Sequence, residues 1–226
     1  MKIRFLISAL VFVTILASAQ SSFKIGVSYN FGASTYYGNK MDNMAMNGIK
    51  MPIYSMKIDN GMGIKFQYYF QEKWSVHLSA LYQQRGAQFD KRMYSYSPRY
   101  KFNYLDVALG VSYQTKEIIK KSKLFFNIAG TYNRLLNSQR VNNYESYNLI
   151  NDSQSNDFGA LASFGLNIPR VEKDLIQLSL FSNVGFKNVF GGVLAKNGQV
   201  GKNLLFGLQI GYLFGFDKKI KKNDDN

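Results

Sequence analysis

The chain has 226 residues, a formal net charge of +14, 15% aromatic residues and no cysteine. The length suits one domain or one small barrel, and the missing cysteines exclude a disulfide framework, a thiolate metal site and a cysteine nucleophile. So basic a chain raises nucleic acid as a partner. However, no nucleic-acid motif is present and the first residues read as an export signal, so anionic lipid phosphates are the counter-charge expected instead.

Residues 1–19 predict a secretory leader. Lys2 and Arg4 form its basic start, residues 5–16 its apolar core, and Ala17-Ser18-Ala19 a small-residue cleavage site before Gln20. The leader carries two basic and no acidic residues, so its removal takes +14 to +12. No later apolar run is long enough for a transmembrane helix.

The mature chain reads as strands with side chains alternating at period two. Strand one, 23–31, sets Phe23, Ile25, Val27, Tyr29 and Phe31 against Lys24, Gly26, Ser28 and Asn30. After a long loop, strand two is 62–70, and Gln71-Glu72-Lys73 turns it into strand three, 74–84. Three connecting residues make that pair an antiparallel hairpin. The loop at 85–101 mixes Arg85, Lys91, Arg92, Arg99 and Lys101 with tyrosines. Strand four is 102–113 and strand five 123–136, joined by a short basic turn; a polar loop leads to strand six, 157–168. Strand seven is 174–187, and strand eight, 203–216, closes the set, with Leu204, Phe206, Leu208, Ile210, Tyr212, Phe214 and Phe216 on one face and small residues on the other.

The connections alternate long and short. That rhythm, an even strand count and one large apolar face per strand predict an all-β fold: an eight-stranded antiparallel up-and-down transmembrane barrel with short periplasmic turns and long outer loops. A soluble lipocalin-like barrel also alternates, with its apolar face inward. Its other face meets water and is rich in charge. Here that face is mostly Gly, Ser, Asn, Gln and Ala, which suits a narrow packed lumen. Aromatic residues at the strand ends (Tyr68, Phe70, Trp74, Tyr113, Phe214, Phe216) suit a membrane-interface girdle. The expected organisation is a leader at 1–19, a barrel at 20–216 and a charged periplasmic tail at 217–226.

Several segments resemble the PorT-like outer-membrane β-barrels of Bacteroidota-type bacteria, also called porin-family proteins. They are Leu81-Tyr82-Gln83-Gln84-Arg85-Gly86-Ala87, Asn103-Tyr104-Leu105-Asp106-Val107, Asn156-Asp157-Phe158-Gly159 and the aromatic-ended last strand. The resemblance implies the fold and the outer membrane of a Gram-negative cell. It implies no shared catalytic motif, and in some relatives a link to protein secretion. The chain departs from it by continuing ten residues past Phe216, which leaves any C-terminal aromatic assembly signal internal.

Candidate sites are sparse. Lys24, Lys65, His77, Asp106 and Lys187 fall on the small face and form a candidate lumen network, since buried charges need partners. They equally allow a conduction path. Arg85, Lys91, Arg92 and Arg99 are candidates for lipopolysaccharide contact, because guanidinium groups grip phosphate in two-pronged fashion. His77 and Ser79 share a face, and a histidine can activate a serine when a carboxylate orients it. That face is the lumen, though, not the lipid side, so the pair reads as structural and no enzyme is expected. The methionines at 41, 44, 46, 51 and 56 have irregular spacing and no His or Cys among them, so no metal site or cofactor is expected. The expected role is structural or interactive, in a monomer touching outer-membrane lipids, lipopolysaccharide and envelope proteins. A narrow channel, an accessory role in secretion and lipid A modification are the alternatives.

Overall fold

The computed structural model describes residues 22–38, 44–46, 49–51, 54–89, 99–119, 121–142, 145–170, 173–192 and 201–216. The expected leader, the tail at 217–226, Lys91, Arg92 and Met41 lie outside the described residues.

Eight long strands build the barrel: β1 (Ser22–Tyr37), β2 (Lys57–Tyr69), β3 (Trp74–Phe89), β4 (Arg99–Ile119), β5 (Ser122–Val141), β6 (Asn156–Pro169), β7 (Leu175–Gly185) and β8 (Lys202–Phe216). Each pairs antiparallel with the next, and β8 pairs with β1, so the sheet closes and no long edge is left for another chain. Closure also lets the ladder N–H and C=O groups pair within the sheet, as lipid requires. A short strand, Ser146–Asn148, pairs with the far end of β5 and extends the β4–β5 hairpin.

The register fixes the shape. Stepping across the ladder from Ile25 through Phe66, Leu78, Leu109, Gly130, Ala160, Val184 and Leu204 returns to β1 at Thr35, ten residues further on. That stagger over eight strands tilts them by roughly 40° and leaves an interior that side chains fill. The closing seam bends tightly. A Cβ on Gly26 would lie 1.8 Å from the Tyr212 carbonyl oxygen, and one on Gly207 2.2 Å from that of Phe31, so only glycine fits at either position.

The expected two faces are present. Val27, Met62, Ile64, Leu109, Ile128, Phe164, Leu208 and Ile210 point outward and are exposed, while Ser28, Lys65, Asp106, Asn127, Ser163, Gln177 and Leu213 point inward and are buried. At the turn end, Phe23 lies 6.3 Å from both Phe66 and Phe216, and Trp74 lies 5.0 Å from Tyr113. At the loop end, exposed Phe31, Tyr82, Tyr132, Phe158 and Phe206 form the opposite ring. The stagger and strand rise set the two girdles about 20 Å apart along the axis, close to the ~25 Å apolar band of an outer-membrane barrel.

The strands run further than the sequence pattern showed. β1 continues to Tyr37, β2 begins at Lys57, β3 reaches Phe89, and β4 and β5 reach Arg99 and Val141. Beyond the lipid boundary the outer face meets water, so the apolar half of the alternation disappears while backbone pairing continues. At the turn end the expected basic turn is mostly strand, because β4 runs to Ile119 and β5 starts at Ser122.

Candidate functional site

The lumen is filled in layers. Nearest the turn end, Lys65 donates to Gln177 Oε1 at 2.8 Å, and Gln177 Nε2 donates to Gln67 Oε1 at 3.2 Å and Asn167 Oδ1 at 2.8 Å. Beside it, His77 Nδ1 and Ser112 Oγ are 3.3 Å apart, and Asn127 Nδ2 donates to Ser163 Oγ at 3.2 Å. Amides suit this place because each offers both donor and acceptor to neighbours on opposite walls. Lys65 is 3% exposed and has no carboxylate partner among the described residues; its ammonium lies 5.9 Å from the Phe125 ring centre.

The next layer carries the charges. Asn30 donates to Gln83 Oε1 at 3.0 Å, and Gln209 to Asn30 Oδ1 at 2.8 Å. Arg85 is fully buried, ion-paired with Asp106, 3.4 Å from Asn133 Oδ1, and stacked 5.4 Å from the Tyr104 ring centre. Asn203 bridges the Tyr104 hydroxyl and Asp157 Oδ2, both at 3.3 Å. Asp59 accepts from Lys57 and from Ser34.

Above this lies a plug of rings. Tyr36, Tyr100, Phe102, Tyr104 and Phe190 are buried together with Ala87, Leu135 and Val189. Tyr36 and Phe190 meet edge to face at 5.4 Å, and Tyr100 and Phe190 at 5.6 Å, a favoured aromatic geometry. Phe190 comes from the β7–β8 loop. Backbone bonds hold it there: Val189 N to Gly201 O at 2.8 Å, Gln154 N to Val189 O at 3.0 Å and Gly191 N to Asp152 O at 2.8 Å. The β5–β6 and β7–β8 loops thus fold together over the lumen and press a phenyl ring into it.

The candidate residues divide accordingly. Lys65, His77 and Asp106 point into the lumen and are buried. Lys24 stands at the turn-end mouth, where its ammonium donates to the Lys173 carbonyl. Lys187 is not in the lumen. β7 ends at Gly185, and the Lys187 side chain turns outward to lie 4.8 Å from the Phe158 ring centre. Arg85 is not at the surface: β3 continues past Gln84, so the inward parity of Gln83 carries on to residue 85. Arg99 is exposed at the start of β4. His77 pairs with Ser112 rather than Ser79, among buried amides. No group of three or more His, Cys, Asp or Glu side chains able to hold a metal occurs among the described residues.

The resembling segments, far apart in sequence, converge here. Gln83 and Arg85, Tyr104 and Asp106, and Asp157 all point into the charged layer. Sequence reasoning missed the ring plug. The signal was available in the parity of β4, where Tyr104, Phe102 and Tyr100 continue the inward series from Asp106.

At the turn end the lumen opens into a recess of about 740 Å³ bounded by Lys24, Tyr69, Gln114, Asn167, Lys173 and Asp174. Asp174 ties its wall together, accepting from the Tyr212 hydroxyl at 2.6 Å and the Gly215 N–H at 3.2 Å. The Tyr212 bond first, and the Gly215 bond second, hold the Asp174 carboxyl below its ordinary pKa.

Among solved structures, the chain is similar to the outer membrane protein OprG of Pseudomonas aeruginosa, with 13% identity, 89% of this chain and all of that one covered, and a TM-score of 0.53. Neisserial surface protein A matches at 10% identity over 88% of this chain and 98% of its own, with a TM-score of 0.49. The attachment invasion locus protein Ail of Yersinia pestis matches at 16% identity over 86% and 97%, with a TM-score of 0.44. No curated protein sequence matches. The OprG likeness supports the fold alone. The family model of the outer membrane protein beta-barrel domain matches residues 18–191. With most of its length matched and its eight strands closed, the chain belongs to the outer membrane protein beta-barrel domain family.

Proposed function

We propose that this protein is a sealed outer-membrane barrel with a structural or interaction role, working through its loop-end surface and not by conduction or catalysis. One observation carries the reading: the Tyr36–Tyr100–Phe102–Phe190 plug closes the loop end above an ion-paired lumen. A polar path wide enough for solute would have to displace those rings and break the Arg85–Asp106 pair beneath them. The leader at 1–19 delivers the chain, and the short turns face the periplasm as in other outer-membrane barrels. The segments that resemble PorT-like barrels supply the charged layer, which supports that finer kinship. His77 and Ser79 serve packing, since neither meets lipid.

Planar-bilayer recording of the refolded protein tests this reading. The expected result is no steady openings; unitary conductance that persists at high salt would favour the narrow-channel alternative. A second reading rests on the turn-end recess. It is large enough to admit a peptide segment from the periplasmic side, which favours an accessory role in secretion. Loss of exported proteins on gene deletion would support it.

A further inference from the structure

Just outside the loop-end aromatic girdle, cations and rings interleave across five neighbouring strands. Arg134 on β5 lies opposite Asn156 on β6, whose side chain accepts from the Tyr132 hydroxyl at 2.8 Å. Tyr132 and Phe158 are 5.3 Å apart, and the Lys187 ammonium stands 4.8 Å from the Phe158 ring. The Lys187 backbone is pinned by its N–H to Asp157 Oδ1 at 3.0 Å. Next along the wall, the Lys202 ammonium is 5.9 Å from the Tyr37 ring, and Tyr37 reaches across β8 to donate to the Gly185 carbonyl at 2.6 Å.

The ten-residue stagger makes this row level. It lifts each successive strand by about one and a quarter residues, so Arg134, Lys187 and Lys202 fall within roughly 5 Å of one height, just outside Tyr132, Phe158 and Phe206. No carboxylate of these five strands faces outward at that height; Asp157, the nearest in sequence, is buried in the lumen. Below the row the wall is shallow. Gly130, Ala160, Ala162 and Ser182 face outward on adjoining strands, with Gly130 paired to Ala160 and Ala162 to Ser182, and bulky Phe126, Ile128 and Phe164 lie beneath.

We infer that this row is a binding site for the phosphorylated headgroup of an outer-leaflet glycolipid, with an acyl chain lying in the depression below. The charge is complementary, the height is that of the headgroups, and the Phe158 and Tyr37 rings hold Lys187 and Lys202 where they meet phosphate and not bulk water. The inference rests on the reading of the chain as an outer-membrane barrel, but the site is distinct from the residue 85–99 segment that sequence alone pointed to.

The test uses the full-length protein purified in detergent, with bis-phosphorylated lipid A as probe and native mass spectrometry as readout. The wild type is expected to retain lipid A and to prefer it at least tenfold over the fully dephosphorylated form. The triple variant Arg134→Gln, Lys187→Gln, Lys202→Gln is expected to bind about a hundredfold more weakly. Lys116→Gln with Arg170→Gln, exposed at the turn end of the barrel, is expected to bind as the wild type does. Equal retention by wild type and triple variant, equal binding of the dephosphorylated lipid, or displacement by millimolar inorganic phosphate would overturn the site. Heat-modifiable gel mobility, run in parallel, separates the two claims. A triple variant that keeps its folded band while losing lipid supports the site. A wild type without a folded membrane-extracted band refutes the barrel reading itself.

Discussion

In the turn-side half of the lumen, Lys65, Gln67, Asn167 and Gln177 link opposite walls through neutral amides and one lysine. In the loop-side half, Arg85, Asp106, Lys57 and Asp59 are paired ions lying directly under packed rings. The satisfaction differs as well. Among the described residues, most buried side-chain atoms without a partner lie in the loop-side half, among them Arg85 Nε and Nη1, Asp106 Oδ1, Asn133 Nδ2, Asn183 Oδ1 and Asn203 Oδ1, whereas the amide half has the hydroxyls of Ser28 and Ser179. The ring plug and the ion pairs are thus one construction. Rings exclude water, the charges beneath them lose solvation, and each then depends on its partner. The amide half, open towards the recess, has no such dependence.

The sharpest way to break the contrast is Arg85→Ala. It leaves the Asp106 carboxylate buried without a counter-ion and is expected to cost about 3–5 kcal/mol, read as a lower urea midpoint for loss of the folded gel band. An effect below about 1 kcal/mol would mean the pair is solvated and the plug does not exclude water. Next is Phe102→Ala in the plug, expected to cost about 3 kcal/mol through the cavity it leaves. The turn-side half predicts the opposite sign. Lys65→Met keeps the length of a buried side chain that has no carboxylate, and is expected to be neutral or to stabilise by about 1–2 kcal/mol; strong destabilisation would show that Lys65 holds an ion pair. The smallest effect is at the turn-end mouth. The Asp174 carboxyl titrates lower in the folded state than unfolded, so its contribution is present above the unfolded value and is lost as pH falls through the lowered folded one. The midpoint of Asp174→Asn is expected to fall below the wild type's at pH 7 and to converge with it in strong acid.

Much of the fold was legible. The alternation at Phe23–Phe31 and Leu204–Phe216, and the alternating loop lengths, follow from lipid on one side and a narrow lumen on the other, and the two faces came out as read. Strand ends were not legible, because outside the lipid the apolar half of the pattern vanishes while the hydrogen-bond ladder continues. The Arg85 assignment failed for that reason: it looked like a loop cation because β3 was ended at Gln84. Lys187 failed the opposite way, because Val184 and Phe186 carry the apolar alternation past Gly185, where the pairing ends. Of the plug, Tyr104, Phe102 and Tyr100 were legible in the inward parity of β4, whereas Phe190 reaches the lumen from a loop, through backbone bonds that leave no periodic trace.

The most direct test of the sealed lumen uses the native absence of cysteine. Ser163→Cys sits on the inward face in the amide half, and Tyr147→Cys on the exposed hairpin beyond β5. A bulky membrane-impermeant maleimide is applied to intact cells. Complete labelling at residue 147 with none at residue 163 is the predicted result. Labelling at residue 163 from the cell exterior would contradict the seal.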